Sequence, residues 1–163
     1  MVGVVEADAN EVERAGNRRA DAPVSFENRQ MCIRDSDVSE RAYQTERSGT
    51  WDKGKGCDTF GPVGPYLVTK DEVPDPQNLK LWTEVDGVRM QDSSTSNMIY
   101  GVKFLVSYVS QFITLHPGDI IATGTPAGVG LGKKPEPIFL RPGQQMKAGV
   151  QGLGEQVYKT VGG

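Results

Sequence analysis

The chain of 163 residues has one histidine, two cysteines and two tryptophans, and only 7% of it is aromatic. One histidine and two widely separated cysteines, Cys32 and Cys57, cannot build the tetrahedral nitrogen and sulfur set of a zinc site. A Ser-His-Asp hydrolase would have to use His116, and the G-x-S-x-G elbow that presents such a serine is missing. No run approaches the ~18 consecutive apolar residues of a membrane span. The first residues lack the basic, apolar, small-residue order of a signal peptide. The expected compartment is therefore the cytoplasm, with both thiols reduced. Charge of one sign is lacking too: 18 basic against 21 acidic side chains give a net charge of -3, which excludes the electrostatic footprint of a nucleic-acid or anionic-membrane binder. No internal repeat is visible.

Glycine and proline are plentiful, at 20 and 10 residues, so turns must be frequent and long helices few. They are also unevenly placed, with three glycines and one proline in residues 1–53 and the rest beyond. Residues 6–29 carry ten charges and a single aromatic, Phe26, with no sustained period of 2 or 3.6. Such a segment buries too little apolar surface to offset its ordering entropy, so residues 1–30 are expected to be poorly ordered.

From Leu79 the patterns sharpen. Leu79, Leu81, Thr83 and Val85 alternate with Lys80, Trp82 and Glu84, and Asp86-Gly87 supplies a two-residue turn before Val88 to Gln91, which predicts a β-hairpin. Met98, Val102, Leu105, Val109 and Phe112 recur at steps of 3 and 4 after Ser94, Thr95 and Ser96, predicting one amphipathic helix over roughly 97–114, packed by those five side chains. Beyond Pro117-Gly118, short strands are expected at 120–123, 138–140, 145–150 and 155–161, with a glycine-rich loop over 124–132. A parallel βαβ array needs a helix between most strands, and only one is present. The fold class expected is α+β, mostly β: a mixed, largely antiparallel β roll with one main packed helix.

The loop Gly124-Thr125-Pro126-Ala127-Gly128-Val129-Gly130 follows an expected strand, but Pro135, Pro137 and a strand come next instead of the helix that a dinucleotide site requires. It stands either as a tight structural turn or as a loop whose Thr125 hydroxyl meets a ligand oxygen. Abundant carboxylates suit a hard, oxygen-seeking cation such as magnesium, although composition does not say which ones bind it.

Several motifs occur in one order: Asp37-Val38-Ser39-Glu40-Arg41-Ala42-Tyr43-Gln44, Trp51-Asp52-Lys53-Gly54-Lys55-Gly56-Cys57-Asp58-Thr59, Gln91-Asp92, Met98-Ile99, Pro117-Gly118-Asp119 and Thr123-Gly124-Thr125-Pro126. From Asp37 to about Val161 the chain resembles the C-terminal catalytic domain of the fumarylacetoacetate hydrolase family. Its Trp51–Gly56 segment is most similar to the subgroup of 2,4-diketo-3-deoxy-sugar-acid hydrolases, also labelled ureidoglycolate lyases. The resemblance implies a metal-dependent hydrolase or lyase that cleaves a C–C bond in a small 2-keto or 1,3-diketo acid. It implies Mg2+ or Mn2+ as cofactor, with Asp37 as a metal ligand and Thr59 at the metal and substrate centre. It implies Lys55 as the catalytic cation, Gln44 and Thr125 as substrate contacts, and a homodimer.

The family's Glu-x-Glu ligand pair and its His/Glu unit are not recognisable. Glu11-Val12-Glu13 lies in a charged segment, where the family has an apolar strand. Gln30–Ser36 resembles translated sequencing-adapter read-through, so residues 1–36 are read as a spurious or misjoined start and 37–163 as a partial catalytic domain. The alternative function is accordingly a catalytically incomplete fragment or scaffold of the same fold.

Overall fold

The computed structural model describes residues 2–3, 31–34 and 36–162. In chain order the elements are β1 (Val2–Gly3), β2 (Met31–Arg34), α1 (Arg41–Thr45), α2 (Trp51–Lys55), β3 (Val68–Thr69), β4 (Lys80–Val85), β5 (Val88–Ser94), α3 (Val102–Val109), β6 (Gln145–Val150) and β7 (Gly154–Lys159), with 3-10 turns at Thr95–Asn97 and Gly130–Gly132. The expected disorder of residues 1–30 and the Glu11/Glu13 pair lie outside the described residues, apart from β1. The division of the chain at residue 36 rests on the same undescribed segment.

The hairpin forms as its sequence requires. Asp86 and Gly87 take φ values of 48° and 79°, the left-handed pair of a tight turn whose twist suits the strands. β4 and β5 pair antiparallel from Lys80↔Ser94 to Val85↔Val88, with an irregularity between Thr83 and Glu84. Strand β6 pairs with the other edge of β4, and β7 with β6, giving one antiparallel sheet in the order β5-β4-β6-β7. A smaller antiparallel sheet joins β1, β2 and β3. The chain is mostly β with few helices, as expected. One apolar cluster gathers Val68, Val73, Leu79, Leu81, Val150 and Leu153 from β3, β4, β6 and their connections. Full burial of a leucine such as Leu153 stabilises by about 1.5–3 kcal/mol.

The helix expected over 97–114 is shorter. Thr95–Asn97 instead form a 3-10 turn capped by Ser94 Oγ, because serine side chains compete for nearby backbone N–H groups. Gly101 takes an extended conformation (φ -69°, ψ 159°), and α3 starts at Val102, whose N–H donates to Gln77 Oε1 at 2.8 Å. Val102 and Val106 pack with Leu115 and, less completely, with Met98, Val109 and Ile121. Two of the five expected side chains are not in this cluster: Leu105, which is half-buried outside it while Val106 takes the inward position, and Phe112, which is 69% exposed because the helix ends at Val109.

Two expected strands are also corrected. In 120–123 only Ala122 makes an isolated bridge, and 138–140 runs as exposed irregular chain. Pro135, Pro137 and Pro142 around the latter remove backbone donors that a ladder needs.

Candidate active site

The segment 36–62 folds back on itself. Ser36 N–H donates to Pro62 O at 3.2 Å and Val38 N–H to Phe60 O at 3.1 Å, so Asp37 is held beside the turn that contains Thr59. Glu40 caps α1 through its side-chain bond to Ala42 N–H at 2.9 Å, while its own N–H donates to Gly54 O at 2.9 Å and ties α1 to α2. The two short helices touch at Gly54. A Cβ there would lie 2.3 Å from Gln44 Cγ and 2.4 Å from Glu40 O, so only glycine allows the contact. This packing sets the last turn of α2 and directs Lys55 towards Asp37, with Nζ 2.5 Å from Oδ2 and both side chains partly buried.

Gln44 is 5% exposed, accepting from Arg41 Nη1 at 2.7 Å and donating to Trp51 O at 3.4 Å. Arg41 also lies over the Trp51 ring, 5.6 Å from its centroid. Thr59 is exposed, and its φ of 67° is left-handed. A β-branched residue in that region is an outlier that costs on the order of 1–3 kcal/mol and persists only where the surroundings impose it. Here the Phe60 N–H to Cys57 O bond, 3.1 Å, closes the turn around it.

Asp37, Lys55, Thr59 and Gln44 thus share one local unit. Thr125 lies elsewhere in the sequence, in the glycine-rich loop against β5, where its Oγ1 accepts from Gln91 Nε2 at 2.8 Å. Its hydrogen bonds link it to Gln91 rather than to the Lys55–Asp37 pair. Gln91 is absent from the site residues expected from sequence. The available signal is a polar side chain in the regular alternation of a strand, since such a residue, when buried, must find hydrogen-bond partners.

The described residues do not make up a complete metal site. Asp37 offers one carboxylate, already paired with Lys55, whereas a hard divalent cation takes about six oxygens. Among the described residues no group of three or more His, Cys, Asp or Glu side chains could hold a metal ion. Among them, too, no helix is long and apolar enough to cross a membrane.

The profile described as fumarylacetoacetate (FAA) hydrolase C-terminal matches residues 35–161. The chain belongs to the fumarylacetoacetate hydrolase family. It is 60% identical over 125 residues to a Burkholderia cenocepacia (strain HI2424) protein named as a hydrolase, covering 77% of this chain and 44% of that one. The chain thus spans less than half the length of the curated relatives it matches. Among solved structures, the fumarylacetoacetate hydrolase of Exiguobacterium antarcticum is similar with a TM-score of 0.76 at 31% identity, over 99% of this chain and 52% of that one. The 5-carboxymethyl-2-hydroxymuconate delta-isomerase of Mycobacterium smegmatis gives 0.71 at 34%, over 98% and 56%. The fumarylpyruvate hydrolase of Pseudomonas aeruginosa, solved with Mn2+ and pyruvate, gives 0.72 at 27%, over 98% and 63%. Family members are thus named as hydrolases and isomerases.

Proposed function

We propose that this family domain serves a hydrolase or lyase that cleaves a C–C bond in a small 2-keto or 1,3-diketo acid, such as a 2,4-diketo-3-deoxy sugar acid. The observation that carries the reading is the Lys55 ammonium fixed on Asp37 beside the strained Thr59 turn. C–C cleavage next to a carbonyl leaves an enolate, and a preorganised cation stabilises that developing negative charge without reorganising. Lys55 is the catalytic cation of this proposal, and the exposed Thr59 hydroxyl serves an adjacent oxygen. Gln44 reaches the substrate by giving up its 3.4 Å bond to Trp51 O, the weaker of its two. Thr125 supplies a second contact from the glycine-rich loop. The pyruvate bound in the Pseudomonas aeruginosa relative supports the substrate class.

A Mg2+ or Mn2+ ion is proposed at Asp37 and Thr59 only when further oxygen ligands, from outside the described residues, complete its shell. Calorimetric titration of this chain with Mn2+ separates the readings: saturable binding supports an enzyme complete in itself, and none supports the incomplete fragment or scaffold. The functional test is hydrolysis of an acylpyruvate, followed by loss of its diketone absorbance with Mn2+ present. Turnover that Lys55→Met abolishes supports the reading. Turnover indifferent to that change refutes it.

The proposed partners are a small keto or diketo acid and a second copy of the chain, in the cytoplasm, with neither nucleic acid nor a membrane involved. Self-association is supported by an exposed aromatic ladder along and beyond α3. Tyr100 stacks on Phe104 at 5.0 Å, Phe104 on Tyr108 at 5.9 Å, and Phe112 meets Tyr108 edge-on at 5.1 Å. All four are at least half exposed, and a contiguous exposed apolar face of this kind suits a protein–protein contact.

A further inference from the structure

We propose that Gln91 is the positioning residue of Thr125, and that it makes the Thr125 hydroxyl a hydrogen-bond donor towards the ligand. Gln91 sits in β5, 9% exposed, and its amide makes three hydrogen bonds that join three segments. Thr83 Oγ1 of β4 donates to Gln91 Oε1 at 3.0 Å. Gln91 Nε2 donates to Pro126 O at 2.8 Å and to Thr125 Oγ1 at 2.8 Å.

The orientation of this amide is determined by its neighbours. Pro126 O can only accept, so the nitrogen must face it, and the same nitrogen then donates to Thr125. A threonine hydroxyl that accepts this bond keeps its own proton for another partner, and Thr125 is exposed. The loop is held to β5 at two further points. A Cβ on Gly128 would lie 2.1 Å from Met90 O, so the loop backbone lies directly on the strand, and Lys133 Nζ donates to the same Met90 oxygen at 3.3 Å. The position therefore favours one polarity: with one Oγ1 lone pair taken by Gln91 Nε2, the Thr125 hydroxyl turns its proton to a carboxylate or carbonyl oxygen of a ligand.

This inference rests on the proposed function in taking Thr125 as a ligand contact, whereas the clamp itself does not. Its test uses pyruvate as the probe, titrated into the whole chain by saturation-transfer NMR, beside hydrogen exchange of residues 124–130. Gln91→Met keeps the bulk of the side chain and removes all three bonds. Exchange in 124–130 should quicken at least about tenfold, the worth of one or two hydrogen bonds, while the β4–β6 ladder stays unchanged. Pyruvate affinity should fall by about tenfold in Gln91→Met and in Thr125→Val, and no further in the double variant, because the first misplaces the donor that the second removes. Thr125→Ser should retain it.

A glutamine that is merely structural would give losses that add in the double variant, and that result overturns the proposal. Unchanged exchange in Gln91→Met overturns it as well. If wild-type chain ignores pyruvate, the proposed function fails, and the exchange measurement alone decides whether Gln91 holds the loop.

Discussion

Replacing Thr59 by glycine should make this protein more stable and less able to bind its ligand. The left-handed φ of 67° costs a β-branched residue about 1–3 kcal/mol, and glycine adopts it freely. Glycine gives back roughly 0.5–1 kcal/mol, because its unfolded chain has more freedom to lose. The net gain is about 1 kcal/mol, which for a domain of this size raises the thermal midpoint by about 2–4 °C. Circular dichroism melts of wild type, Thr59→Gly and Thr59→Ser measure it. Serine keeps the hydroxyl and most of the strain, so its midpoint should stay near wild type and its pyruvate affinity should persist, while glycine moves the two quantities in opposite directions. A melting point that falls in Thr59→Gly would refute the argument that the turn is strained. A rise in stability with unchanged affinity would leave the strain intact and remove Thr59 from the site.

Three further outcomes follow from the packing. Gly54→Ala should lower stability by about 1–3 kcal/mol in urea unfolding, since its Cβ meets backbone at Glu40 O and cannot be accommodated by a side-chain shift alone. Gly87→Ala should cost about 1 kcal/mol through its φ of 79°, read as a lower midpoint in urea unfolding. Phe104→Ser with Tyr108→Ser should shift sedimentation towards monomer while leaving the thermal midpoint of dilute protein within about 2 °C, since both rings are already half exposed. A dimer that persists in this double variant removes the ladder as its contact.

The hairpin was readable from sequence because two independent signals agree on it, strand alternation and an Asp-Gly turn that needs left-handed φ at both positions. The helix was readable in existence but not in length. Periodicity at 98, 102, 105, 109 and 112 is blind to Gly101, which adopts extended backbone, and to the aromatic ladder, which continues the same spacing on an exposed face. Apolar content at 138–140 imitates a strand, while the prolines around it withhold the donors of a ladder. At the site, the grouping of Asp37, Lys55, Thr59 and Gln44 follows from short-range packing, and the resemblance had already marked those residues. The Lys55–Asp37 salt bridge was foreseeable as the plain alternative for two opposite charges in one motif set, whereas the strain at Thr59 and the amide of Gln91 that reaches a loop 34 positions away depend on tertiary geometry.

The most direct test of the central claim is the affinity of the whole chain for pyruvate, measured by saturation-transfer NMR in wild type and in Lys55→Met. If the ammonium fixed on Asp37 receives the charged oxygens of a keto acid, removing it should weaken pyruvate at least about tenfold, as expected for a charge-assisted hydrogen bond, and added salt should weaken the wild type in the same direction. Equal affinity in wild type and Lys55→Met would contradict the account, and would reduce the Lys55–Asp37 pair to a salt bridge that serves only the fold.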